Sequence, residues 1–479
     1  MKRVLFFIFL CCLAVSPLNA QKPDKATHSG KLLDGKGKVS KDAVSKAGMD
    51  PERLARIPAR MKEFVDSGTI AGAVTLVARH GVVASLEAVG YQDLESKKPM
   101  RTDTIFNIAS MTKSLTAVGI MILLEEGRLL LSDPVEKHLP EFRGQMMVER
   151  RDGYKVVATK KPSRPITIRD LLTHTSGMTG DGAPRDPSLP RVLEGKTLAE
   201  RVQISSQKPL EFEPGTKYHY SSPGFATLGQ IIESVTGQPY EQFVEQYIVR
   251  PLGMKDTFFF PPPEKCDRIA SGYDLEDGKL RRCQSPLFDL CRKRGNGNYG
   301  SSAGGWLSTA SDIFAFYQMM LNGGIYKGSR ILSRASVEVM TTVHTGDLPA
   351  SGSLPTPSGP TSRPELGSGL GWRIIREPLA PDALALESIG SYGHGGRSGT
   401  IAWVDPKKDL VGVFLIQRHF GSTHRAGHGP ERETFMAMAA AAIADDIKST
   451  TKVSKAGIDR KSTRLNSSHI QKSRMPSSA

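Results

Sequence analysis

Ser110-Met111-Thr112-Lys113 places a hydroxyl and an amine three residues apart at the head of an apolar run that extends from Leu115 to Leu124. Residues three apart on a helix share a face. A serine hydroxyl is a poor nucleophile at its ordinary pKa, and a desolvated amine within hydrogen-bond reach can take or share its proton. The four residues thus have the parts of an activated nucleophile for attack on a carbonyl. Two further clusters come later in the chain. Tyr220-Ser221-Ser222 offers a phenol and two hydroxyls, and His394-Gly395-Gly396 offers an imidazole beside two glycines. Because Ser, Thr and Lys are common on solvated helix faces, S-x-x-K alone is an unspecific pattern. The elements that hold these residues decide what it means.

Leu54, Ile57, Met61, Phe64 and Val65 recur at helical spacing between Pro51 and Gly68, which predicts a helix stopped at that glycine. Ala73 to Arg79 and Val82 to Val89 are valine-rich runs around His80-Gly81 and predict a hairpin. A short extended stretch, Thr102 to Asn107, leads to Ser110. Leu115, Val118, Ile120, Met121, Leu123 and Leu124 then make a helix apolar almost all round, ending near Gly127; such a helix is buried. Ser110 is expected at its N-terminal end, where backbone N–H groups and the helix dipole favour developing negative charge. Thr167-Ile168-Arg169-Asp170 is a capping-box signature, with Gly177 expected to close the helix that it starts. His174, near that end, is expected to be satisfied by local carbonyls rather than to act as a general base.

Phe225 to Thr236 and Tyr240 to Val249 predict two helices around Gly237, and Ser308 to Asp312 begins another that ends at Asn322-Gly323-Gly324. Gly346 to Pro364, crowded with Pro, Ser and Gly, is expected to be a loop or lid. Strand signals return at Gly371 to Ile375, Gly399 to Val404 and Leu410 to Gln417, and a helix is expected from Glu431 to about Lys448. Strands at both ends with helices between predict an α/β (α+β) fold: one antiparallel sheet from the N- and C-terminal segments, flanked by helices, with a mostly helical insertion. The expected organisation is an α/β domain from 48–130 plus 300–448, an inserted helical and loop-rich domain over 131–299, and a flexible segment over 21–47.

Residues 1–20 carry Lys2 and Arg3, an apolar run from Val4 to Val15 and then Ser16-Pro17-Leu18-Asn19-Ala20, the layout of a secretory signal cleaved after Ala20. The run is too short to span a bilayer, so no stable membrane anchor is expected after cleavage. Asp459 to His469 reads as the translation of a sequencing-adapter string, and 459–479 is set aside as an artefact tail. Of the formal +15, the tail carries +4 and the leader +2, which leaves +9 for the body. No long basic run is interleaved with aromatics, so a nucleic-acid partner is not expected. Cys266, Cys283 and Cys291 allow one disulfide with one thiol over, or small buried thiols alone.

Ile105 to Lys113, Leu171 to Met178, Tyr218 to Phe225 and Tyr392 to Gly396, in that order, resemble the serine β-lactamase-related family: class C β-lactamases, penicillin-binding-protein-like D-Ala-D-Ala carboxypeptidases, D-aminopeptidases and family VIII carboxylesterases. The resemblance runs from about Gly48 to about Ile447. It implies a β-lactamase/transpeptidase-like fold in which Ser110 forms an acyl-enzyme while Lys113 and Tyr220 handle its proton. It further implies an oxyanion hole from the backbone N–H groups of Ser110 and Arg397, the latter on an edge strand. Ser222, His394, Gly395 and Gly396 are implied to bind substrate, the glycines letting a substrate backbone approach. Two departures stand out. The second motif usually ends in Asn, and here Ser222 is shorter. The third motif of efficient class C enzymes is Lys-Thr-Gly, and here His394 replaces the permanent cation.

The expected function is an exported, periplasmic or secreted serine hydrolase acting on small carboxylic esters or D-amino-acid amides and esters, with no cofactor or metal. The alternatives are a β-lactamase or D-Ala-D-Ala carboxypeptidase acting on β-lactam or peptidoglycan-derived substrates, and a penicillin-binding sensor that acylates without turnover. A rival nucleophile lies at Gly300-Ser301-Ser302-Ala303-Gly304, which matches the G-x-S-x-G elbow. That motif needs a strand immediately before it, and 294–299 does not read as one. His419, His424 and His428 are unevenly spaced in a Gly-rich stretch and are expected to form a solvated loop rather than a metal site.

Overall fold

The N-terminal helix shows how local signals start the fold. Asp50 caps it by accepting from the N–H groups of Glu52 and Arg53, and Pro51 opens a helix that covers Pro51–Asp66. The computed structural model describes residues 39–153, 155–180, 196–283, 291, 301–348, 350, 365–377, 386–419 and 429–444. The leader and artefact tail expected from the sequence lie outside the described residues, as does most of the expected lid. Lys41–Lys46, inside the stretch expected to be flexible, forms a short helix capped by Ser40. Among the described residues no helix is long and apolar enough to cross a membrane.

The main sheet has eight strands in the spatial order Leu366–Ser368, Arg373–Ile375, Tyr392–Gly395, Ile401–Asp405, Leu410–Leu415, Gly72–Arg79, Val82–Asp93 and Lys98–Pro99. All neighbouring pairs among them are antiparallel. N- and C-terminal segments therefore meet where Gly72–Arg79 pairs with Leu410–Leu415, as expected. The hairpin turn carries positive φ at both His80 and Gly81, the geometry that matches the twist of a two-residue hairpin.

Every residue of Gly72–Arg79 is buried, because both faces of the sheet are covered. Ala73 and Val77 face the N-terminal helix and the helix Pro430–Ala441, in a core with Leu54, Ile57, Trp403, Phe414 and Phe435. Val74, Leu76 and Ala78 face the larger core, which holds Leu115, Val118, Phe225, Phe316 and Trp372. Trp403 lies across Gly412, where a Cβ would come within 2.1 Å of its ring.

At the centre of that larger core is the helix Thr112–Glu125, buried without interruption from Thr112 to Leu123. It is the apolar-all-round helix predicted from the sequence. The helix Ser222–Thr236 packs on it and ends at Gly237, which takes the left-handed conformation of a C-cap. Ala310–Leu321 covers the same face of the sheet. The capping box of Thr167 and Asp170 forms as predicted, but its helix ends at Leu172. Gly177 does not close it. His174 already has φ +60, so the chain leaves the helix there, and Gly177 serves instead where a Cβ would meet the carbonyl of Phe212 at 2.3 Å. Cys266 and Cys291 form a disulfide, and Cys283 lies outside it.

Candidate active site

Ser110 lies not in the central helix but in the single 3-10 turn Ala109–Met111 that leads into it. Asn107 shapes this entry. Its side-chain oxygen accepts from the Ala109 N–H at 2.7 Å, and Ala109 takes φ +45, a conformation L-residues rarely adopt. The turn is gripped from both sides. Ile108 N–H donates to the Trp306 carbonyl at 3.1 Å, and the Ser398 and Thr400 hydroxyls donate to the carbonyls of Asn107 and Ile108 at 2.7 and 3.3 Å.

Lys113, the second residue of the central helix, is fully buried. Its ammonium donates to Ser110 Oγ at 3.2 Å, Ser222 Oγ at 3.2 Å and the Ala303 carbonyl at 2.8 Å. Ser222, the short residue of the second motif, thus reaches the lysine. It can do so because Ser221 caps the Ser222–Thr236 helix, its Oγ accepting from Gly224 N–H at 3.1 Å. The Tyr220 ring lies with its centroid 4.8 Å from Lys113 Nζ and 6.2 Å from the His394 ring. The structure therefore brings Ser110, Lys113, Tyr220, Ser222 and His394 together.

His394 stands on the strand Tyr392–Gly395, whose pairing with Arg373–Ile375 covers only Tyr392 and Gly393. The third motif is thus an edge only locally. Arg397 is not on a strand at all. Gly396 N–H donates to the Thr400 carbonyl and Gly399 N–H to the Gly396 carbonyl, so Arg397 sits in the tight turn after the strand. His394 Nδ1 lies 2.7 Å from the carbonyl of Gly395 and donates to it, which leaves Nε2 as an acceptor. His394 is half-buried, yet the atoms packed around its ring desolvate it. That burial, reinforced by the Lys113 ammonium, pushes the imidazole down to about 3. It is neutral at physiological pH.

The two glycines of the third motif make room for the protein's own atoms. A Cβ on Gly395 would lie 2.9 Å from the guanidinium of buried Arg432, and one on Gly396 would lie 2.5 Å from the Ile108 carbonyl.

Ser302, the rival nucleophile, is fully buried and donates its hydroxyl to the Phe225 carbonyl at 3.0 Å. The chain continues from it into a turn and the two-residue strand Leu307–Ser308, not the helix an elbow requires. This loop instead anchors the central helix. Its Ala303 carbonyl holds Lys113, and its Ser302 carbonyl accepts from Thr116 Oγ1 at 2.6 Å. Backbone acceptors carry no sequence signal. His174 also departs from expectation. It is buried, and its Nδ1 accepts from the Ser221 N–H at 3.1 Å instead of meeting local carbonyls.

Among the described residues no cluster of His, Cys, Asp or Glu could hold a metal ion. His419 is buried on a short strand paired with Tyr273–Glu276, not in a solvated loop; His424 and His428 lie outside the described residues. A cavity of about 660 Å3 lined by Leu131, Arg169, Asp170 and His344 lies at the other end of the central helix and shares no residue with this constellation.

The β-lactamase family model matches residues 57–434, which spans the sheet, the central helix and all three motifs. The chain belongs to the β-lactamase family. "Protein Rv1367c" of Mycobacterium tuberculosis (strain ATCC 25618 / H37Rv) is 30% identical over 364 residues, covering 75% of this chain and 88% of its own. A protein of Escherichia coli (strain K12) named "Putative D-alanyl-D-alanine carboxypeptidase" is 26% identical over 437 residues, covering 87% of this chain and 91% of its own. In fold, the chain is similar to EstCE1, described as a hydrolase with promiscuous acyltransferase activity. The TM-score is 0.65 at 23% identity, over 84% of this chain and 99% of that one. Members of this fold family are in general serine hydrolases, and the antiparallel sheet flanked by helices is the architecture they share.

Proposed function

We propose that this protein is an exported serine hydrolase that acylates Ser110, acting on small carboxylic esters or on esters and amides of D-amino acids. One observation carries the reading: the Lys113 ammonium is held between Ser110 Oγ and Ser222 Oγ, 3.2 Å from each, beneath the ring of Tyr220. Ser110 Oγ attacks the carbonyl carbon as the Lys113–Tyr220 pair takes its proton. The backbone N–H groups of Ser110 and Arg397 receive the developing oxyanion. Collapse of the tetrahedral intermediate breaks the bond to the leaving alcohol or amine, which departs with the proton held by the pair. Water then attacks the acyl-enzyme along the same route in reverse and releases the acid. The basic leader-like segment 1–20 supports export.

Substrate class is read from the third motif. A neutral His394 presents no fixed positive charge to the carboxylate of a β-lactam or a peptide C-terminus, whereas a neutral ester needs none. The name of the Escherichia coli relative favours a second reading, D-Ala-D-Ala carboxypeptidase activity on peptidoglycan-derived peptides. Steady-state turnover of a chromogenic short-chain ester, a chromogenic cephalosporin and a D-alanyl-D-alanine peptide by the purified mature protein separates the readings. The expected outcome is the highest kcat/KM on the ester. A higher value on the peptide or cephalosporin would contradict the ester assignment, and a stoichiometric burst without turnover on all three would make the protein a sensor.

A further inference from the structure

His174 is a buried titratable side chain that the mechanism above does not use, and its surroundings all concern Tyr220. We propose that His174 is a positioning residue that fixes Tyr220 over Lys113, using its backbone, its ring nitrogen and its ring face together. The inference rests on the acyl-transfer reading, in which Tyr220 and Lys113 share the proton of Ser110.

Three contacts bracket the tyrosine. The His174 carbonyl accepts from the His219 N–H at 2.8 Å, just before Tyr220, and His174 Nδ1 accepts from the Ser221 N–H at 3.1 Å, just after it. Between these two bonds the imidazole lies against the Tyr220 ring, centroid to centroid 4.4 Å. Phe225 at 5.0 Å and Tyr218 at 5.7 Å, edge-on, hold the imidazole itself. Lys113 also lies over the Tyr220 ring, its Nζ 4.8 Å from the centroid.

Two features say that the imidazole is more than filling. The first is the backbone: His174 has φ +60, a region that suits glycine and is strained for other residues. A turn alone would be served better by glycine. The second is protonation. An imidazolium donates from both nitrogens, so only the neutral ring can accept from Ser221 N–H. Burial, followed by the positive charge of Lys113, keeps the ring neutral by holding its pKa well below the usual histidine range. The titratable groups facing His174 and Tyr220 are Lys113 from the central helix, His394 from the third-motif strand, and Tyr218 and His219 from the adjoining segment.

The test uses His174→Asn and His174→Gly in the full chain, assayed on the short-chain ester beside Ser110→Ala. Asparagine tolerates positive φ and keeps an oxygen able to accept from Ser221 N–H. Glycine relieves the backbone strain and removes both the acceptor and the ring. The glycine variant is expected to melt cooperatively at a lower temperature than wild type, since a cavity and an unpaired Ser221 N–H outweigh the relieved strain, while kcat falls about 30-fold or more, the mark of a misplaced proton-handling group, with KM little changed. The acid limb of its kcat/KM profile should move to higher pH, because a phenol no longer held over the ammonium is harder to deprotonate. The asparagine variant should recover kcat to within roughly tenfold of wild type. A glycine variant that fails to fold, or that folds and keeps the wild-type kcat and pH profile, would assign His174 to the architecture alone and overturn the proposal. So would an asparagine variant no better than glycine. If Ser110→Ala retains activity, the acyl-transfer reading itself fails, and the two failures are told apart.

Discussion

In the proposed reading His394 sets what the third motif recognises, and its effect is electrostatic. A neutral imidazole with Nδ1 tied to the Gly395 carbonyl offers an acceptor and no charge. Replacing it by glutamine is expected to leave the shape of the kcat/KM profile between pH 5 and 8 unchanged, since no His394 titration falls in that window; loss of an inflection there would contradict the neutral assignment. Replacing it by lysine adds a fixed cation that faces Lys113. The expected result is about tenfold faster acylation by an anionic β-lactam and no gain, or a loss, on a neutral ester, read from kcat/KM for both. No gain on the β-lactam across pH 6 to 8 would count against this account of the motif.

Separate elements converge on the proposed nucleophile Ser110: a 3-10 turn, the central helix, the Ser302–Trp306 loop and the third-motif strand. Ser302→Ala removes a buried hydroxyl–carbonyl bond to Phe225 while leaving the Ala303 carbonyl in place. It should cost on the order of 1 kcal/mol in chemical denaturation and keep ester turnover within roughly twofold of wild type. Gly396→Ala is the opposite case. Its Cβ would press on the Ile108 carbonyl at 2.5 Å and on Thr400 Oγ1 at 2.3 Å, neither of which is a yielding side-chain tip, so the turn carrying Arg397 must shift against Ser110. Ester kcat should fall at least about tenfold, with a lower melting temperature. Much of this level was legible in the sequence. The central helix declared itself by being apolar on every side, and the hairpin by valines around His80-Gly81. The end of the Ile168–Leu172 helix, the Ala303 anchor and the setting of His174 were not legible, because they depend on backbone carbonyls and tertiary neighbours that side-chain periodicity does not encode.

At the scale of the whole molecule the sheet joins segments more than 300 residues apart, and the site lies between its two halves of sequence. The two-ended sheet was implied by strand signals at both termini, whereas its strand order depended on pairings such as Val74 with Leu415 that no local pattern specifies. Burial on this scale also sets the pH dependence of stability. His174 and His394, and His419 at about 4, are held neutral in the folded state. The unfolded chain takes up protons at these positions as pH falls below about 6.5 while the folded chain does not, so stability falls from there toward pH 4. Asp312, raised to about 6 chiefly by burial, works the other way: folded, it binds a proton between about pH 6 and 4, and offsets one histidine. Each remaining proton costs about 1.4 kcal/mol per pH unit. Urea midpoints should therefore drop steadily from pH 6.5 to 4.5; a flat profile would contradict the buried, neutral state of these histidines.

The central claim is that Ser110 carries the acyl group. Intact-mass measurement of the mature protein, quenched within seconds of mixing with an activated short-chain ester, tests it directly. The account predicts one added acyl mass that maps to the peptide containing Ser110, is lost in Ser110→Ala and persists in Ser302→Ala. An adduct on Ser302, or one that survives Ser110→Ala, would contradict it.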